Sequence, residues 1–318
     1  MMIWIIVSLI AGAIMLYFGS EWLVRGGKGL ALRLGVTPFV IGLTVLAFGS
    51  SAPEAITSIV SSDTPDLIIG NVVGSNIANV GLAIGIAALA GPMVAKYSGM
   101  RIEIIAMLAA SVGLFIMGFF HYINWIEGII LIALLFVFLF FVFKKKSNDE
   151  EGKEAYEEEV TPETLSTPIL VGLVALGLVV LYFGARFFID GAKDLAVLIG
   201  VPDLIIGLIV VAIGTSLPEL CISVLAAYRG EADMAVANIV GSNIFNILFV
   251  LGIGSILVDV PVSDSLLIFH LPVMLLLSFV MFLMVRFRNK IDRKSGVVLV
   301  AIYAAYVAII AMVPDLML

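Results

Sequence analysis

Long stretches of this 318-residue chain contain no charged side chain, among them residues 3–19, 104–120 and 129–143. Crossing about 30 Å of hydrocarbon takes roughly 20 predominantly apolar residues in a helix. Apolar residues make up 62% of the sequence and charged residues only 13%, which is about half the charged fraction of an ordinary soluble domain. The sequence therefore predicts an all-α membrane protein.

The sequence also contains an internal repeat. Residues 16–54 align with residues 181–219, with about half of the positions identical, and residues 70–85 align with residues 237–252 after a short insertion. Repeats of this length indicate two homologous halves. The predicted membrane spans are 2–22, 37–61, 66–90, 102–120 and 124–143 in the first half, and 168–189, 203–227, 233–257, 264–285 and 296–313 in the second.

Five spans in each half are an odd number, so the two halves must cross the membrane in opposite senses. This is the inverted-repeat design of many secondary transporters. The sequence thus predicts ten transmembrane helices in two inverted five-helix repeats, residues 1–143 and 168–318, joined by an acidic linker at residues 144–167.

The basic residues predict the orientation of these spans. If the N-terminus lies outside, all but two of the 17 basic residues fall in loops on the inner side. The exceptions are Arg186 and Lys193, and Lys193 is flanked by Asp190 and Asp194. We therefore expect a multi-pass protein of the cell membrane with both termini outside and the linker in the cytoplasm.

Only two acidic residues fall deep within the predicted spans, Glu54 and Glu219, and they are repeat equivalents. A carboxylate at the centre of a spanning helix costs on the order of 3 kcal/mol, and such residues usually mark ion paths. The alternative is a pair of protonated glutamates that join helices. Each acid follows a proline, which should loosen the helix within Ala47–Ser50 and Ala212–Thr215 and free backbone carbonyls there, unless it only kinks the helix.

The next helix of each half carries a polar stripe with helical spacing. The stripe residues are Asn71, Ser75 and Asn79 in the first half and Asn238, Ser242 and Asn246 in the second. Gly74 and Gly241 beside the stripes would allow close helix packing, which is the alternative explanation. Carboxylates, hydroxyls, amides and carbonyls are all hard oxygen ligands, which suit Ca²⁺, Na⁺ or Mg²⁺, and flexible backbone ligands favour Ca²⁺ over Mg²⁺. Competition of two ions for one pair of carboxylates would produce exchange.

The doubled motif G-[ST]-S-x-P-E followed by G-S-N-x-x-N closely resembles the paired alpha repeats of the calcium:cation antiporter superfamily, in particular its prokaryotic sodium/calcium exchanger branch. The resemblance covers nearly the whole chain. It implies ten helices, sodium entry coupled to calcium exit, and alternating access by sliding of the first and sixth helices, here residues 2–22 and 168–189.

The resemblance also implies a set of ion ligands. The central calcium site would consist of Glu54, Glu219 and the carbonyls of Ser50 and Thr215. The flanking sodium sites would use the side chains of Ser51, Ser216, Ser75 and Ser242 and the carbonyls of Ala47 and Ala212. Asn79 and Asn246 would complete the ring.

Departures from related patterns bear on the driving ion. Potassium-dependent members typically carry Asp where this chain has Asn246, and proton-driven members carry a G-N-x-x-E element where this chain has Ser75 and Ser242. A proton- or potassium-linked calcium antiporter remains the main rival. A channel and an intramembrane lipid phosphatase are weaker ones, since a phosphatase needs a buried cation for phosphate and no Lys or Arg adjoins either glutamate in the sequence.

The remaining expectations are negative or structural. The chain is expected not to be an enzyme, to need no cofactor beyond the transported Ca²⁺ and Na⁺, to bind no nucleic acid and to function as a monomer in the lipid bilayer. Glu103 lies near a predicted span end and is expected to face lipid headgroups, and His270 is expected to be structural.

Overall fold

The computed structural model describes residues 2–52, 55–56, 65–147, 165–200, 212–313 and 316. Within these residues the chain is mostly helical, with eight helices long and apolar enough to cross a membrane and two shorter apolar ones. In chain order they are α1 (Met2–Leu34), α2 (Pro38–Ser50), α3 (Pro65–Ala90), α4 (Tyr97–Gly118), α5 (Trp125–Ser147), α6 (Thr167–Leu198), α7 (Leu217–Tyr228, after the helical turn Ala212–Thr215), α8 (Ala232–Leu257), α9 (Leu266–Arg288) and α10 (Arg293–Met312). The short helices are α2 and α7.

Eight of the predicted spans correspond to these long helices, whereas the spans 37–61 and 203–227 fall partly on residues outside the described ranges. Two helices are longer than predicted. The first was expected to end at residue 22 and the sixth at residue 189, but α1 has 33 residues and α6 has 32. A 33-residue helix is about 50 Å long and so extends well beyond the hydrocarbon. Charged residues that end a membrane span do not end a helix, because helix formation does not require apolar side chains.

Helices α1 and α6 are repeat equivalents, and they pack against each other in antiparallel orientation along glycines. A Cβ atom at Gly12 would lie 2.6 Å from the backbone nitrogen of Phe188, and one at Gly19 would lie 2.9 Å from that of Leu181. In the other direction, a Cβ at Gly184 would lie 2.9 Å from the nitrogen of Leu16. The two backbones therefore touch where the side chains are smallest.

Two short β-ribbons join the halves at their loops. Strand β1 (Met93–Val94) pairs antiparallel with β4 (Lys290–Ile291), and β2 (Tyr122–Ile123) pairs antiparallel with β3 (Val260–Pro261). Each ribbon takes one strand from each half. The strands that follow α3 and α8 are the repeat-equivalent members, so the two ribbons are reciprocal contacts.

Helices α3 and α8 form the centre of the molecule. In the most apolar 18-residue segment of each helix, 78% of the residues of α3 and 83% of those of α8 are buried. In the other six long helices the same fraction lies between 22% and 39%. The outer helices expose large apolar side chains such as Phe136 and Ile129, as expected for surfaces that face lipid tails. The two polar stripes thus lie on the two most enclosed helices.

Candidate ion-binding site

A carboxylate from the second half and a hydroxyl from the first meet in the apolar interior. Ser51 Oγ donates a hydrogen bond to Glu219 Oε1 over 3.2 Å. Ser51 is 3% exposed and Glu219 is 0% exposed. The other carboxylate oxygen, Glu219 Oε2, has no hydrogen-bond partner among the residues that the structure describes. A buried carboxyl group is stable when it keeps its proton or when a cation compensates its charge, so this oxygen is a candidate position for either.

The helical segments that carry these two residues are interrupted at equivalent points. Ser51 ends α2 with φ −86° and ψ 0°, and Ser216 precedes α7 with φ −91° and ψ 6°. The prediction that the helix loosens earlier, within Ala47–Ser50 and Ala212–Thr215, was wrong because both stretches are helical. Pro218 lies in the first turn of α7, where a missing N–H breaks no helical hydrogen bond. The interruption therefore falls just before the proline-led helix.

The carbonyl oxygen of Ala47 is engaged within its own helix. It accepts a hydrogen bond from the backbone nitrogen of Ser51 over 3.0 Å and a longer one from Ser50 Oγ over 3.4 Å. A carbonyl has two lone pairs. For Ala47 to ligate sodium, as the family resemblance implies, the Ser50 hydroxyl would have to turn away.

The polar stripes occupy the centres of α3 and α8, and both helices change their geometry there. A π-helical turn, Asn79–Ile84, begins at the last stripe residue of α3, and another, Asn246–Val250, begins at the last stripe residue of α8. Such turns widen the helix and are frequent at functional sites. The sequence pattern did not predict them, although the resemblance implied the two asparagines that begin them.

In addition to Glu219 Oε2, several buried oxygens on the predicted ligands and stripe residues lack a hydrogen-bond partner within the described part of the chain. All belong to residues no more than 2% exposed. They are Ser75 Oγ, Asn79 Oδ1, Ser216 Oγ, Asn238 Oδ1, Ser242 Oγ and Asn246 Oδ1. Buried polar atoms in native structures are nearly always satisfied, so these oxygens are candidates for binding a ligand.

Close backbone packing brings the second half onto the first at this level. A Cβ atom at Gly241 of α8 would lie 2.5 Å from the carbonyl oxygen of Leu43 and 2.6 Å from the Cβ of Ala47. Glycine is thus required where the stripe of α8 meets α2, as predicted for Gly241. At Gly74, the repeat equivalent, no atom of the described residues lies within 4 Å of the corresponding position, and the segment equivalent to the part of α2 around Leu43 falls outside the described ranges.

Most of the predicted ligands are buried side chains, and Ser51 and Glu219 are in direct contact across the two halves. Ser50, Ser51, Ser75, Asn79, Ser216, Glu219, Ser242 and Asn246 are all buried. Thr215 is partly buried in its helical turn, and the backbone of Ala212 lies in the same turn. Glu54 lies outside the described residues. Among those described, no group of three or more His, Cys, Asp or Glu side chains could hold a metal, so hydroxyls and amides dominate the available ligands.

Comparison with known proteins assigns the family. The family model described as "Sodium/calcium exchanger protein" matches residues 4–144 and 169–312. The chain belongs to the sodium/calcium exchanger family. The resemblance seen in the doubled motif is thereby confirmed.

Individual relatives of this family member cover nearly its whole length. It is 34% identical to an uncharacterized membrane protein of Methanocaldococcus jannaschii, over 95% of this chain and 96% of that protein. It is 33% identical to the sodium/calcium exchanger MaX1 of Methanosarcina acetivorans, over 95% and 97%. Among solved structures, the sodium-calcium exchanger NCX_Mj soaked with zero Na⁺ and Ca²⁺ has a TM-score of 0.84 at 32% identity, covering 98% of this chain and 100% of that one.

Two asparagines next to the stripes were not among the residues predicted for the site. Asn76 and Asn243 occupy the third position of the G-S-N-x-x-N motif, and each is 1% exposed. They bond to the stripe residues of the opposite half: Asn79 Nδ2 donates to Asn243 Oδ1 over 3.0 Å, and Asn246 Nδ2 donates to Asn76 Oδ1 over 3.2 Å. The repetition of these asparagines in both halves was the available signal, but they lie off the four-residue spacing of the stripe.

Two further polar residues are more enclosed than their sequence positions suggest. Glu103 was expected to face headgroups, but it is 0% exposed, because α4 turns this side toward the protein. His270 is also 0% exposed, with Nδ1 2.8 Å from Tyr306 Oη and Nε2 2.6 Å from the carbonyl oxygen of Leu316. Both nitrogens of His270 are occupied, which agrees with the structural role predicted for it.

Proposed function

We propose that this chain exchanges Na⁺ for Ca²⁺ across the cell membrane at a site between its two halves. The observation that carries the proposal is the Ser51–Glu219 contact, in which one buried carboxylate oxygen is held by the other half and the second has no partner among the described residues. The nearby hydroxyl and amide oxygens are hard ligands of the kind that Na⁺ and Ca²⁺ prefer. Family membership and the likeness to NCX_Mj support the choice of these two ions.

Exchange follows from competition for the same carboxylates. Together, Glu219 and Glu54 would supply a charge of −2, which one Ca²⁺ or two Na⁺ would balance, with any further Na⁺ held by neutral oxygens. Burial makes the site unstable when it is empty, because uncompensated charge in a low-dielectric interior is costly. The site is therefore expected to change sides with ions bound, so that one ion species moves only in return for the other.

The proposed architecture is ten transmembrane helices in two inverted repeats, residues 1–143 and 168–318, with the linker 144–167 between them. The antiparallel packing of α1 on α6 and the reciprocal ribbons support it. For alternating access we propose that α1 and α6 slide together along the central helices. Their close backbone contact at the glycines supports movement as one unit.

The remaining parts of the proposal concern setting and chemistry. The chain functions as a monomer in the bilayer with both termini outside, and transport needs no cofactor or catalytic residue. A lipid phosphatase is disfavoured because the family is one of exchangers. A proton- or potassium-linked antiporter and a channel are separated from the proposal by the experiment below.

The test is ⁴⁵Ca²⁺ uptake by proteoliposomes that contain the purified full-length chain, driven by an outward Na⁺ gradient. We expect uptake by the wild type and none by Glu219→Gln or Glu54→Gln, because each amide keeps the shape of the side chain but removes the charge. Ser255→Ala is the control, since Ser255 Oγ is satisfied by the Leu251 carbonyl of its own helix at 2.7 Å. Uptake that persists when internal Na⁺ is replaced by choline would contradict the sodium-driven mechanism and favour proton coupling, potassium coupling or a channel.

A further inference from the structure

Four asparagines form a closed cluster between α3 and α8. Asn79 and Asn246, the proposed ligands, each donate their amide N–H to an asparagine of the opposite half, Asn243 and Asn76 respectively. All four side chains are 1% exposed. The cluster has the same pattern on both sides, since each interaction has its repeat equivalent.

The inner pair, Asn76 and Asn243, is fixed by acceptors that cannot donate. Asn76 Nδ2 lies 3.4 Å from the carbonyl oxygen of Asn243 and 3.8 Å from the sulfur of Met274. Asn243 Nδ2 lies 3.4 Å from the carbonyl oxygen of Asn76 and 3.8 Å from the sulfur of Met107. Carbonyl oxygens and thioether sulfurs only accept hydrogen bonds. The amide nitrogen of each inner asparagine must therefore face these groups, and its Oδ1 must face the outer asparagine.

The orientation of the inner pair determines that of the outer pair. Because Asn243 presents Oδ1, Asn79 must present Nδ2 to it, and the Oδ1 of Asn79 points to the other side. That oxygen and its counterpart in Asn246 have no partner among the described residues. A half-turn of the Asn79 amide would place two oxygens against each other and turn an N–H toward the site. In a buried environment both changes are costly.

We propose that Asn76 and Asn243 are positioning residues that hold the amide oxygens of Asn79 and Asn246 toward the bound cation and keep their N–H groups away from it. This inference rests on the proposed function, and it adds two residues to the site that do not themselves touch the ion. Each half of the protein orients a ligand that the other half contributes.

The first test removes one inner asparagine. In Asn243→Leu, the Asn79 amide loses the acceptor that fixes it, so its side chain can turn either Oδ1 or Nδ2 toward the ion. Oδ1 of Asn79 then faces the ion for a smaller fraction of the time. We expect the Ca²⁺ concentration for half-maximal Na⁺-driven ⁴⁵Ca²⁺ uptake to rise about tenfold, as for loss of one well-formed polar interaction at a charged group. Asn243→Ser, which is smaller and polar but too short to reach Asn79, should have the same effect with less disturbance of packing.

The decisive test repeats both substitutions in the Asn79→Asp background. A carboxylate has an oxygen at each end, so it needs no orientation, and the Oδ1 of Asn243 would repel it. In this background, Asn243→Leu or Asn243→Ser should leave the half-saturating Ca²⁺ concentration unchanged or lower it. A merely structural role would weaken uptake equally in both backgrounds, and that result would overturn the proposal. The same comparison can be made independently with the repeat-equivalent pair, by testing Asn76→Leu alone and in the Asn246→Asp background, and the same results are expected.

A matched control separates the fixed orientation from general packing. Met107→Leu removes the sulfur near Asn243 Nδ2 but keeps the backbone carbonyl that holds it, so the half-saturating Ca²⁺ concentration should change less than about twofold. A change as large as that of Asn243→Leu would contradict the assignment. If the wild type shows no sodium-driven uptake, the proposed function itself fails. If the wild type transports but the effect is independent of the background, only the positioning role fails.

Discussion

The hydroxyl of Ser51 and the carboxylate of Glu219 show how one residue pair can connect the two halves at the proposed site. A hydroxyl has one hydrogen to donate and two lone pairs to offer. Ser51 can therefore keep its hydrogen bond to Glu219 Oε1 while a lone pair faces a cation. The same side chain would then hold the carboxylate in place and contribute an oxygen ligand.

Ser51→Ala should weaken Na⁺ binding without preventing transport. The substitution removes a hydrogen bond to a buried carboxylate and one proposed ligand, so we expect the half-saturating Na⁺ concentration to rise roughly tenfold. The measurement is the Na⁺ dependence of ⁴⁵Ca²⁺ release from loaded proteoliposomes. Ser255→Ala, which removes a buried hydroxyl bonded within its own helix, should leave that concentration nearly unchanged. Equal effects of the two substitutions would argue against a role for Ser51 in the site.

At the scale of elements, the contact between α1 and α6 depends on glycines at seven-residue intervals. They are Gly12, Gly19 and Gly26 in α1 and Gly177, Gly184 and Gly191 in α6. In each case a Cβ atom would come within about 3 Å of the partner helix. Small residues let van der Waals packing hold helices together in lipid, where no hydrophobic effect drives their association.

Gly19→Ala should destabilise this contact. The new methyl group would lie 2.9 Å from the backbone nitrogen of Leu181 and 3.0 Å from the carbonyl oxygen of Gly177, and backbone atoms cannot move aside as a side chain can. We expect a loss of about 1–3 kcal/mol of stability, measured as a lower thermal unfolding midpoint in detergent. Gly172→Ala is the matched control on α6, because no atom described by the structure lies within 4 Å of that position. A midpoint lowered equally by both changes would contradict the close contact.

The start of α10 depends on a partly exposed carboxylate, that of Asp292. Asp292 Oδ1 accepts hydrogen bonds from the backbone nitrogen and hydroxyl of Ser295, each over 3.0 Å, and Oδ2 lies 2.7 Å from Arg288 Nη2. The Ser295 backbone N–H is the main reason that the pKa of Asp292 lies below its ordinary value, with Ser295 Oγ and Arg288 adding to it. The ionised carboxylate is thus favoured in the folded state.

This shift predicts a stability that depends on acidity. Because the folded-state pKa of Asp292 is depressed, its contribution is complete above the ordinary carboxyl pKa and is lost as the pH falls through the folded-state value. Thermal midpoints of the wild type should therefore fall in acid relative to those of Asp292→Asn, which keeps a helix cap without the charge. Asp292→Ala should be less stable than both at neutral pH. A constant difference between wild type and Asp292→Asn at every pH would contradict this account.

At the scale of the whole molecule, the ribbons and ion pairs group the basic loops together. The β1–β4 ribbon brings Tyr97 beside Arg286, whose guanidinium lies 5.0 Å from the ring centre. Lys28 near the end of α1 pairs with Glu231, and Arg33 donates to the carbonyl oxygen of Leu165 at the end of the linker. These contacts join loops that the distribution of basic residues assigned to one side of the membrane.

A reporter experiment tests the resulting topology. Alkaline phosphatase fused after Leu318 should be active, since it folds only outside, and the same reporter fused within the linker after Lys153 should be inactive. Green fluorescent protein at the same two points should give the opposite result. Phosphatase activity at the linker alone would reverse the proposed orientation, and equal activity at both points would contradict an inverted repeat with an odd number of spans in each half.

The sequence predicted those parts of the site that depend on local residue type. Glu219 was expected to be buried because it falls deep within a predicted span, and it is. The stripe residues were expected on one helix face because they recur every four positions. Glu103 was misjudged, because its distance from a span end says nothing about which direction its helix face points. Asn76 and Asn243 were overlooked because their role depends on partners in the other half.

Composition, apolar runs and internal repetition by themselves determined that this chain is a helical membrane protein with two related halves, since these follow from the solvent and from local sequence identity. The family was indicated by the resemblance of the doubled motif, and the match of the family model showed it. Only the tertiary structure decided which oxygens of the site are satisfied and which are free, because each depends on atoms far apart in the chain. The distance between Ser51 and Glu219, the backbone contact of Gly241 with α2 and the crossed asparagines all arise from the packing of one half on the other. No property of either half alone specifies that packing.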